Sequence, residues 1–468
     1  MEGREEAFEI VTCAERLIRE KGLFGTVLWR AQKLSTLRSA RNFLHQPTVA
    51  REQALKISLF DEKSRAGSAT TSSRSREAIQ ESLQEAEQLV LCVEPYPYLA
   101  ELILQPKEFP EEHMDGWDEE TAEGGMKKRE SFFKEAKKAV DRLGLLASAR
   151  FYTGNMETAV ANTLGLLRYH RFTISSCELT MTGVPNTNLK HISAFAARSA
   201  KDVCSIDYNE LIQEAVESAI LQKHLPIVDP FSKKRKRYKE LDVILSPYAL
   251  ATWLTWLNWY AFNGNALFNE TSVLTGKIGQ LVVSQDISIV DDWRYDHMIP
   301  APFDAEGFTR ARVPIIEEGI AKGVVCGGVA SKWSGLPRTG HALMNDYTWP
   351  LHLVFTGDDY TLDDLMESCE RPTLFITSFN YPSMPNSKEG VFTGTTRHGT
   401  FLIEEGKICG IVPPLRFMER TLDVFSRIYM KTEPMIVVEQ DHYEGIEESS
   451  YAVPAVKIEN FHFVGSVS

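Results

Sequence analysis

SPYALATWLTWLNWYAFNG, residues 246 to 264, decides the reading of this chain. Ser246 is a good helix N-cap and Pro247 suits the first helical position, while Gly264 offers a C-cap. The sixteen residues between Pro247 and Gly264 are apolar or aromatic almost all round, and a helix of that kind is buried rather than amphipathic. Large aromatic side chains at Trp253, Trp256, Trp259 and Tyr260 supply packing surface, and their polar tips suit them equally to an interface. The stretch therefore reads either as the central core helix of its domain or as the lining of a channel. The most apolar run, Ala249 to Phe262, is shorter than the roughly 20 residues a bilayer span needs.

Outward from this helix the pattern is α+β. On its N-terminal side, residues 5 to 23 read as a helix, and Ala54 to Thr71 as two strands joined by a hairpin-like turn. A second helix starts at Ser75 and carries Ile79, Leu83, Ala86 and Val90 at helical spacing. Pro106 to Lys128 is acidic and poor in apolar residues, which predicts a loop or linker. Phe132, Phe133, Ala136, Val140 and Leu143 mark a third helix ending at Gly144, followed by about sixty residues of strand character. Asp207 with Glu210 resembles a capping box for a helix bearing Leu211, Ala215, Val216 and Ala219.

Beyond residue 270, short apolar strands alternate with Gly, Pro and Asp turns. Ile316-Glu317-Glu318-Gly319 with Gly323 recurs as Ile403-Glu404-Glu405-Gly406 with Gly410, so one hairpin device is expected twice. The division is an N-terminal α/β domain with an antiparallel hairpin and helices (1–105), a middle α+β segment (106–228), and a largely antiparallel β domain around the buried helix (229–468).

With 468 residues, 43% of them hydrophobic and 25% charged, the chain has a globular composition and room for two or three domains. Its formal charge of -13 opposes broad binding to nucleic acid or to an anionic membrane. KKRKRYK (233–239) is the one dense basic run, and with no aromatic platform beside it a solvated loop is the preferred reading. Seven scattered cysteines with no C-x-x-C pair fit a reducing compartment. The opening MEGREEAFEIVTCAERLI has none of the features of a secretory signal, so a cytoplasmic location is expected.

Signals for chemistry are sparse. H-E-x-x-H, H-E-x-x-x-H, G-x-S-x-G, P-loop and G-x-G-x-x-G patterns are all absent. Asp291, Asp292, Asp304 and Glu306 could be imagined around a hard cation, but a strand end followed by an Asp/Gly turn explains them equally and is preferred. Phe392 to Thr400 gathers Thr393, Gly394, Arg397, His398 and Gly399, which could present several donors to an anion or a peptide carboxylate, or could equally be a turn and strand.

An ordered set of motifs covers most of the last two hundred residues: TSVLTGKIGQLV, ISIVDD, FDAEG, RARVPIIEEGIAKG, RTGHA, FTGTTRHGTFLIEEGKI, VPPLRF and PAVKIENFHFVG. This order resembles the PmbA/TldD family, and KISLFDEKSRAGSATTSS resembles that family's N-terminal domain. The resemblance implies that TldD-type subunits hold zinc on an H-E-x-x-x-H helix completed by a cysteine near the C-terminus. TldE-type (PmbA-type) subunits lack these groups and pair with them in a cytosolic heterodimeric metallopeptidase acting on unfolded or ribosomally made peptides. In this chain the corresponding helix positions read Thr255, Trp256, Leu257, Asn258, Trp259 and Tyr260, and residues 225 to 296 contain no histidine. SSYAVP (449–454) stands where the cysteine segment would fall.

The expectation is a subunit with no catalytic residue, metal or cofactor of its own. A TldD-like partner would supply the zinc, and Thr393, Gly394, Arg397, His398 and Gly399 would hold an extended peptide by strand addition. The alternatives are a metal-free peptide-binding or regulatory homodimer, and a peptide-tailoring enzyme built on His341 or His398 with nearby acids.

Overall fold

The computed structural model describes residues 3–95, 116–231, 241–343, 347–438, 446 and 448–466. KKRKRYK and the expected boundary at 105/106 lie outside the described residues.

The N-terminal layer is one antiparallel sheet built from β1 (Phe24–Ala40), β2 (Phe43–Phe60), β3 (Ala66–Thr71), β4 (Leu146–Asn162), β5 (Leu167–Thr182) and β6 (Ser193–Ala200), in the order β3-β2-β1-β4-β5-β6. β1 pairs with β4 from Thr26↔Asn162 to Ser39↔Ala149, so the sheet runs across the division expected between the first and middle segments. Strand alternation sorts its two faces. Odd-numbered Val27, Trp29, Leu55, Ile57 and Ala159 pack on α1 (Arg4–Glu20) and α2 (Arg76–Cys92). Odd-numbered Ala147, Phe151, Cys177 and Leu179 pack on α4 (Met126–Leu143) and α5 (Tyr208–His224). Even-numbered Met156, Phe172 and Ile174 turn the other way and meet Ile299, Val438 and Ile446 of the C-terminal domain.

The helices follow their sequence signals. Ser75 accepts from Ala78 N at 3.2 Å, Gly144 ends α4 with φ +68°, and Asp207 accepts from Asn209 N and Glu210 N at 2.9 and 3.1 Å. The acidic stretch read as a linker is partly helical: Asp118 caps a short α3 (Glu119–Glu123), and α4 already begins at Met126. Asp118 supplies the cap that its local composition did not reveal, accepting from Thr121 N at 2.8 Å.

The C-terminal domain has two sheets. One is ordered β10-β9-β8-β11-β18-β17, from β8 (Ile289–Asp291), β9 (Val313–Glu317), β10 (Ile320–Ala321), β11 (Leu353–Phe355), β17 (Met435–Val438) and β18 (Ser450–Val453). The other is ordered β16-β19-β7-β12-β13-β15-β20, from β7 (Leu241–Leu245), β12 (Thr373–Asn386), β13 (Val391–Glu404), β15 (Leu415–Arg420), β16 (Ile428–Lys431), β19 (Val456–Phe461) and β20 (Phe463–Ser466), with β14 (Lys407–Ile411) also pairing with β13. Most pairings are antiparallel; β7 with β12 and β11 with β18 are parallel. The repeated Ile-Glu-Glu-Gly device makes two tight hairpins, with Glu318 and Gly319 at φ +48° and +75° and Glu405 and Gly406 at +51° and +74°. Positive φ at both central residues is what a two-residue hairpin of native twist demands.

The decisive stretch forms α6 (Pro247–Tyr260), capped by Ser246, which accepts from Ala249 N at 3.3 Å. It is packed against strands of both sheets. Trp253 is completely buried, stacks on Phe392 with ring centroids 4.4 Å apart, and donates its indole N–H to Thr421 Oγ1 at 3.0 Å. Gly264 is not the C-cap. The helix ends at Ala261, and Asn263 caps a further turn, Gly264–Phe268, whose first residue lies so close to Cys326 that a Cβ would stand 2.7 Å from its Sγ. Trp253→Ala should cost about 3–5 kcal/mol of unfolding free energy, the range for deleting a buried aromatic, read as a lowered urea midpoint in equilibrium unfolding.

Candidate functional site

A cavity of about 760 Å³ lies between the even face of the N-terminal sheet and the C-terminal domain. Arg38 and Ser39 of β1, His45 and Gln46 of β2, Arg150 of β4, Glu178 of β5 and Phe195 of β6 form one wall. Tyr248, Ala251, Thr252, Thr255, Trp256 and Trp259 of α6 form the second, and Ser378 to Pro382 of β12, with Arg397 and His398 of β13, form the third. The α6 side chains spaced three and four apart share one helical face, and that face is the one the sheets leave open. The helix is a core element on one side and lines this cavity on the other.

Thr255, Trp256 and Trp259 line this cavity, while Tyr260 stands outside the lining with its ring stacked on Trp256 at 5.7 Å and 8°. Arg397 and His398 also line it. Thr393, Gly394 and Gly399 do not, and the strand addition expected at this segment has no free edge at Thr393 and Gly394, residues 396–400 alone lying outside the ladders to β15 and β14. β13 is paired with β12 on one side and with β14 and β15 on the other; Gly394 pairs with Phe417 and would press a Cβ onto its ring. Thr393 Oγ1 donates to Phe417 O at 2.6 Å, and Gly399, at φ +109°, backs onto Phe401.

His398 owes its direction to a β-bulge. Ile376 pairs with Thr400 and Ser378 with Arg397, so two residues of β13 oppose the single Thr377, and His398 takes φ +59°. Its ring stacks on Phe195 at 5.2 Å and 16°, and Nδ1 meets Ser193 Oγ at 2.9 Å. Burial, with Arg397 next to it, lowers its pKa to about 3, so it is neutral at physiological pH. Arg397 Nη1 donates to Asn380 Oδ1 at 3.3 Å. Arg150 faces Glu178 at 3.3 Å, and Tyr248 donates to Ala197 O while accepting from Arg198 at 3.2 Å. Phe195, Tyr248, Arg38, Arg150 and Tyr381 carry no motif, and no local signal could have found them.

The helix position and the C-terminal segment at which the resemblance puts metal ligands come together in the fold. Tyr451 of β18 lines the cavity, accepts from Asn258 Nδ2 at 2.9 Å, and stands 3.5 Å from Thr255 Oγ1. Hydroxyl, amide, indole and phenol groups do not fit a zinc ion, which takes imidazole, thiolate or carboxylate. Among the described residues no three His, Cys, Asp or Glu side chains are grouped as metal ligands.

A second polar cluster is buried within the C-terminal domain, and further polar contacts cross to the N-terminal sheet. Asp291 bonds His341 Nε2 at 2.8 Å and accepts from Leu351 N and His352 N at 3.0 and 2.9 Å. Burial opposes ionisation of Asp291, but the adjoining His341 and His352 with these hydrogen bonds hold its carboxyl well below the usual range. His341 and His352 are completely buried, so His341 is not placed to act on a substrate. Glu448 joins Arg30 of β1 at 2.7 Å, and His170 of β5 bonds Pro300 O at 2.8 Å. Asp304 closes the expected turn, accepting from Glu306 N and Phe308 N at 3.0 and 2.9 Å, and Glu306 pairs with Arg338 at 2.5 Å.

Residues 238–465 match the model of the PmbA/TldA metallopeptidase C-terminal domain. The whole fold is similar to the crystal structure of TldE from Thermococcus kodakarensis, with TM-score 0.82 and 18% identity, covering 97% of this chain and 100% of that one. An uncharacterized protein of Methanocaldococcus jannaschii is 28% identical over 131 residues, 27% of this chain and 32% of its own length. A protein named metalloprotease from Archaeoglobus fulgidus is 23% identical over 184 residues, 37% of this chain and 41% of its own. The chain thus spans well under half the length of these curated relatives. Its C-terminal domain, residues 238–465, belongs to the PmbA/TldD family.

Burial lowers the pKa of His170 to about 4 and of His352 to about 3, with His398 also near 3, against 6.5 in an open chain. The unfolded chain therefore takes up these protons first, and stability present above pH 6.5 is lost as pH falls toward 4, by up to about 1.4 kcal/mol per pH unit for each histidine. Urea midpoints should fall between pH 7.5 and 5. Among the described residues neither ring nitrogen of His352 has a hydrogen-bond partner, so His352→Phe should cost under about 1.5 kcal/mol at pH 7.5 and make the acid slope shallower.

Proposed function

We propose that this chain is the TldE-like, non-catalytic subunit of a cytoplasmic heterodimeric zinc peptidase. It would help to enclose an extended peptide in the cavity between its two layers, while a TldD-like partner carries the zinc and the hydrolysis. The observation that carries this reading is the Thr255, Asn258 and Tyr451 contact. Two segments assigned separately from sequence to the metal-binding positions meet in space, and they meet through a hydroxyl, an amide and a phenol. The family membership and the metalloprotease name of the Archaeoglobus relative support the metallopeptidase setting.

This chain's own residues would bind and orient. Trp256 and Trp259 offer flat apolar surface to peptide side chains, and Arg397 offers guanidinium N–H donors to their polar groups. His398 is neutral and held by Phe195 and Ser193, which suits it to shaping the wall rather than to shuttling a proton. Among the described residues no helix is long and apolar enough to cross a membrane.

The purified chain is expected to carry less than about 0.1 equivalent of zinc by plasma mass spectrometry, an order-of-magnitude bound on adventitious metal, and to leave unfolded casein intact. Co-expression with an H-E-x-x-x-H homologue should yield a 1:1 complex that cleaves it. Stoichiometric zinc or turnover in the chain alone would overturn the proposal, and a symmetric self-complex that excludes such a homologue would favour the homodimer.

A further inference from the structure

Two β-bulges on neighbouring strands face the same cavity. In the first, His398 and Gly399 of β13 oppose Thr377. In the second the count is reversed: Asn380 pairs with Thr395 and Ser383 with Thr393, so Tyr381 and Pro382 of β12 oppose Gly394 alone. Bulges redirect side chains, and these two flank the point where Asn380 Oδ1 accepts from Arg397. Tyr381 sits there at φ +47°, a conformation that bulky residues rarely adopt, and it is 86% exposed. An aromatic side chain held at a strained backbone position yet left uncovered is placed to meet a ligand, since its own fold gains no burial from it.

Charge points to the kind of ligand. Among the described residues that line the cavity, the arginines are Arg38, Arg150 and Arg397 and the one carboxylate is Glu178, which faces Arg150 at 3.3 Å. Arg397 has no ion pair among the described residues and uses a single N–H on Asn380, so the rest of its planar fork is available. A guanidinium oriented by a neutral amide, beside an exposed phenol, matches the two parallel hydrogen bonds of a carboxylate.

We propose that Arg397, oriented by Asn380 and walled by Tyr381, is a carboxylate-binding subsite of the peptide cavity. The carboxylate would be either the C-terminus of the bound peptide or an acidic side chain along it. This rests on the cavity being a peptide site, and the test separates the two claims. The full-length chain is titrated calorimetrically with N-acetylated hexa-alanine as the free acid, the same peptide as its C-terminal amide, and the amide with one internal alanine replaced by glutamate.

At least one carboxylate-bearing peptide should bind about tenfold tighter than the plain amide, equivalent to about 1.4 kcal/mol, and which of the two does so identifies the source. Arg397→Gln should erase that preference, so that in the variant the carboxylate-bearing peptide binds no tighter than the amide, with the melting temperature unchanged. Equal binding of all three peptides, or a preference that survives Arg397→Gln, overturns the subsite and leaves the peptide site standing. Failure of every peptide to bind overturns both.

Discussion

Covering α6 is the constraint on which the C-terminal domain depends. A fourteen-residue helix without a charged side chain cannot face water on any side without loss of hydrophobic stabilisation. The two sheets are the cover. Trp253 anchors the helix to one of them, since its ring contacts Phe392, Phe417 and Phe461 of β13, β15 and β19, and Phe425 of the short helix after β15, which in turn meets Phe355 of β11 in the other sheet. Only the face bearing Thr252, Thr255, Trp256 and Trp259 is left, and the N-terminal sheet approaches it without filling it. The cavity is the remainder of that packing.

The second determinant is the pleat of the N-terminal sheet. Because alternate side chains point to opposite faces, the strands that bury Trp29 and Phe151 under helices must turn Arg30, Arg150 and His170 toward the other domain. The junction is therefore polar by geometry. Where it is closed, Arg30 pairs with Glu448 and His170 bonds Pro300 O. Where it is open, the same even face supplies Arg38, Arg150 and Glu178 to the cavity wall. Local shape is then set by the bulges, which aim His398 into the gap beside Phe195 and leave Arg397 facing the cavity.

Much of this was legible in the chain. The helices beginning near Ser75, Asp207 and Ser246 announce themselves through their caps, and the one ending at Gly144 through its 3.6-residue periodicity and C-cap, which are local properties. The twin Glu-Glu-Gly hairpins are legible for the same reason, as φ > 0 at two successive residues selects a small set of sequences. That Thr255, Trp256 and Tyr260 offer neither imidazole nor carboxylate is a matter of residue identity and needs no coordinates. Thr393, Gly394 and Gly399 were grouped with Arg397 and His398 because they are adjacent in sequence, and adjacency in a strand says nothing about which edge or face is free.

What the sequence by itself determined is the class of most elements, the burial of much of α6 and the absence of zinc-ligating groups from it, since these follow from side-chain chemistry and short-range periodicity. What only the tertiary structure decided is that six strands drawn from between residues 24 and 200 form one continuous sheet, that Tyr451 meets Asn258 across 193 positions of chain, and that Arg38, Tyr381 and Arg397 share one cavity. Strand pairing and bulge placement join residues far apart in the chain through hydrogen bonds whose register no local pattern encodes, and for that reason the site became visible only once the layers were packed.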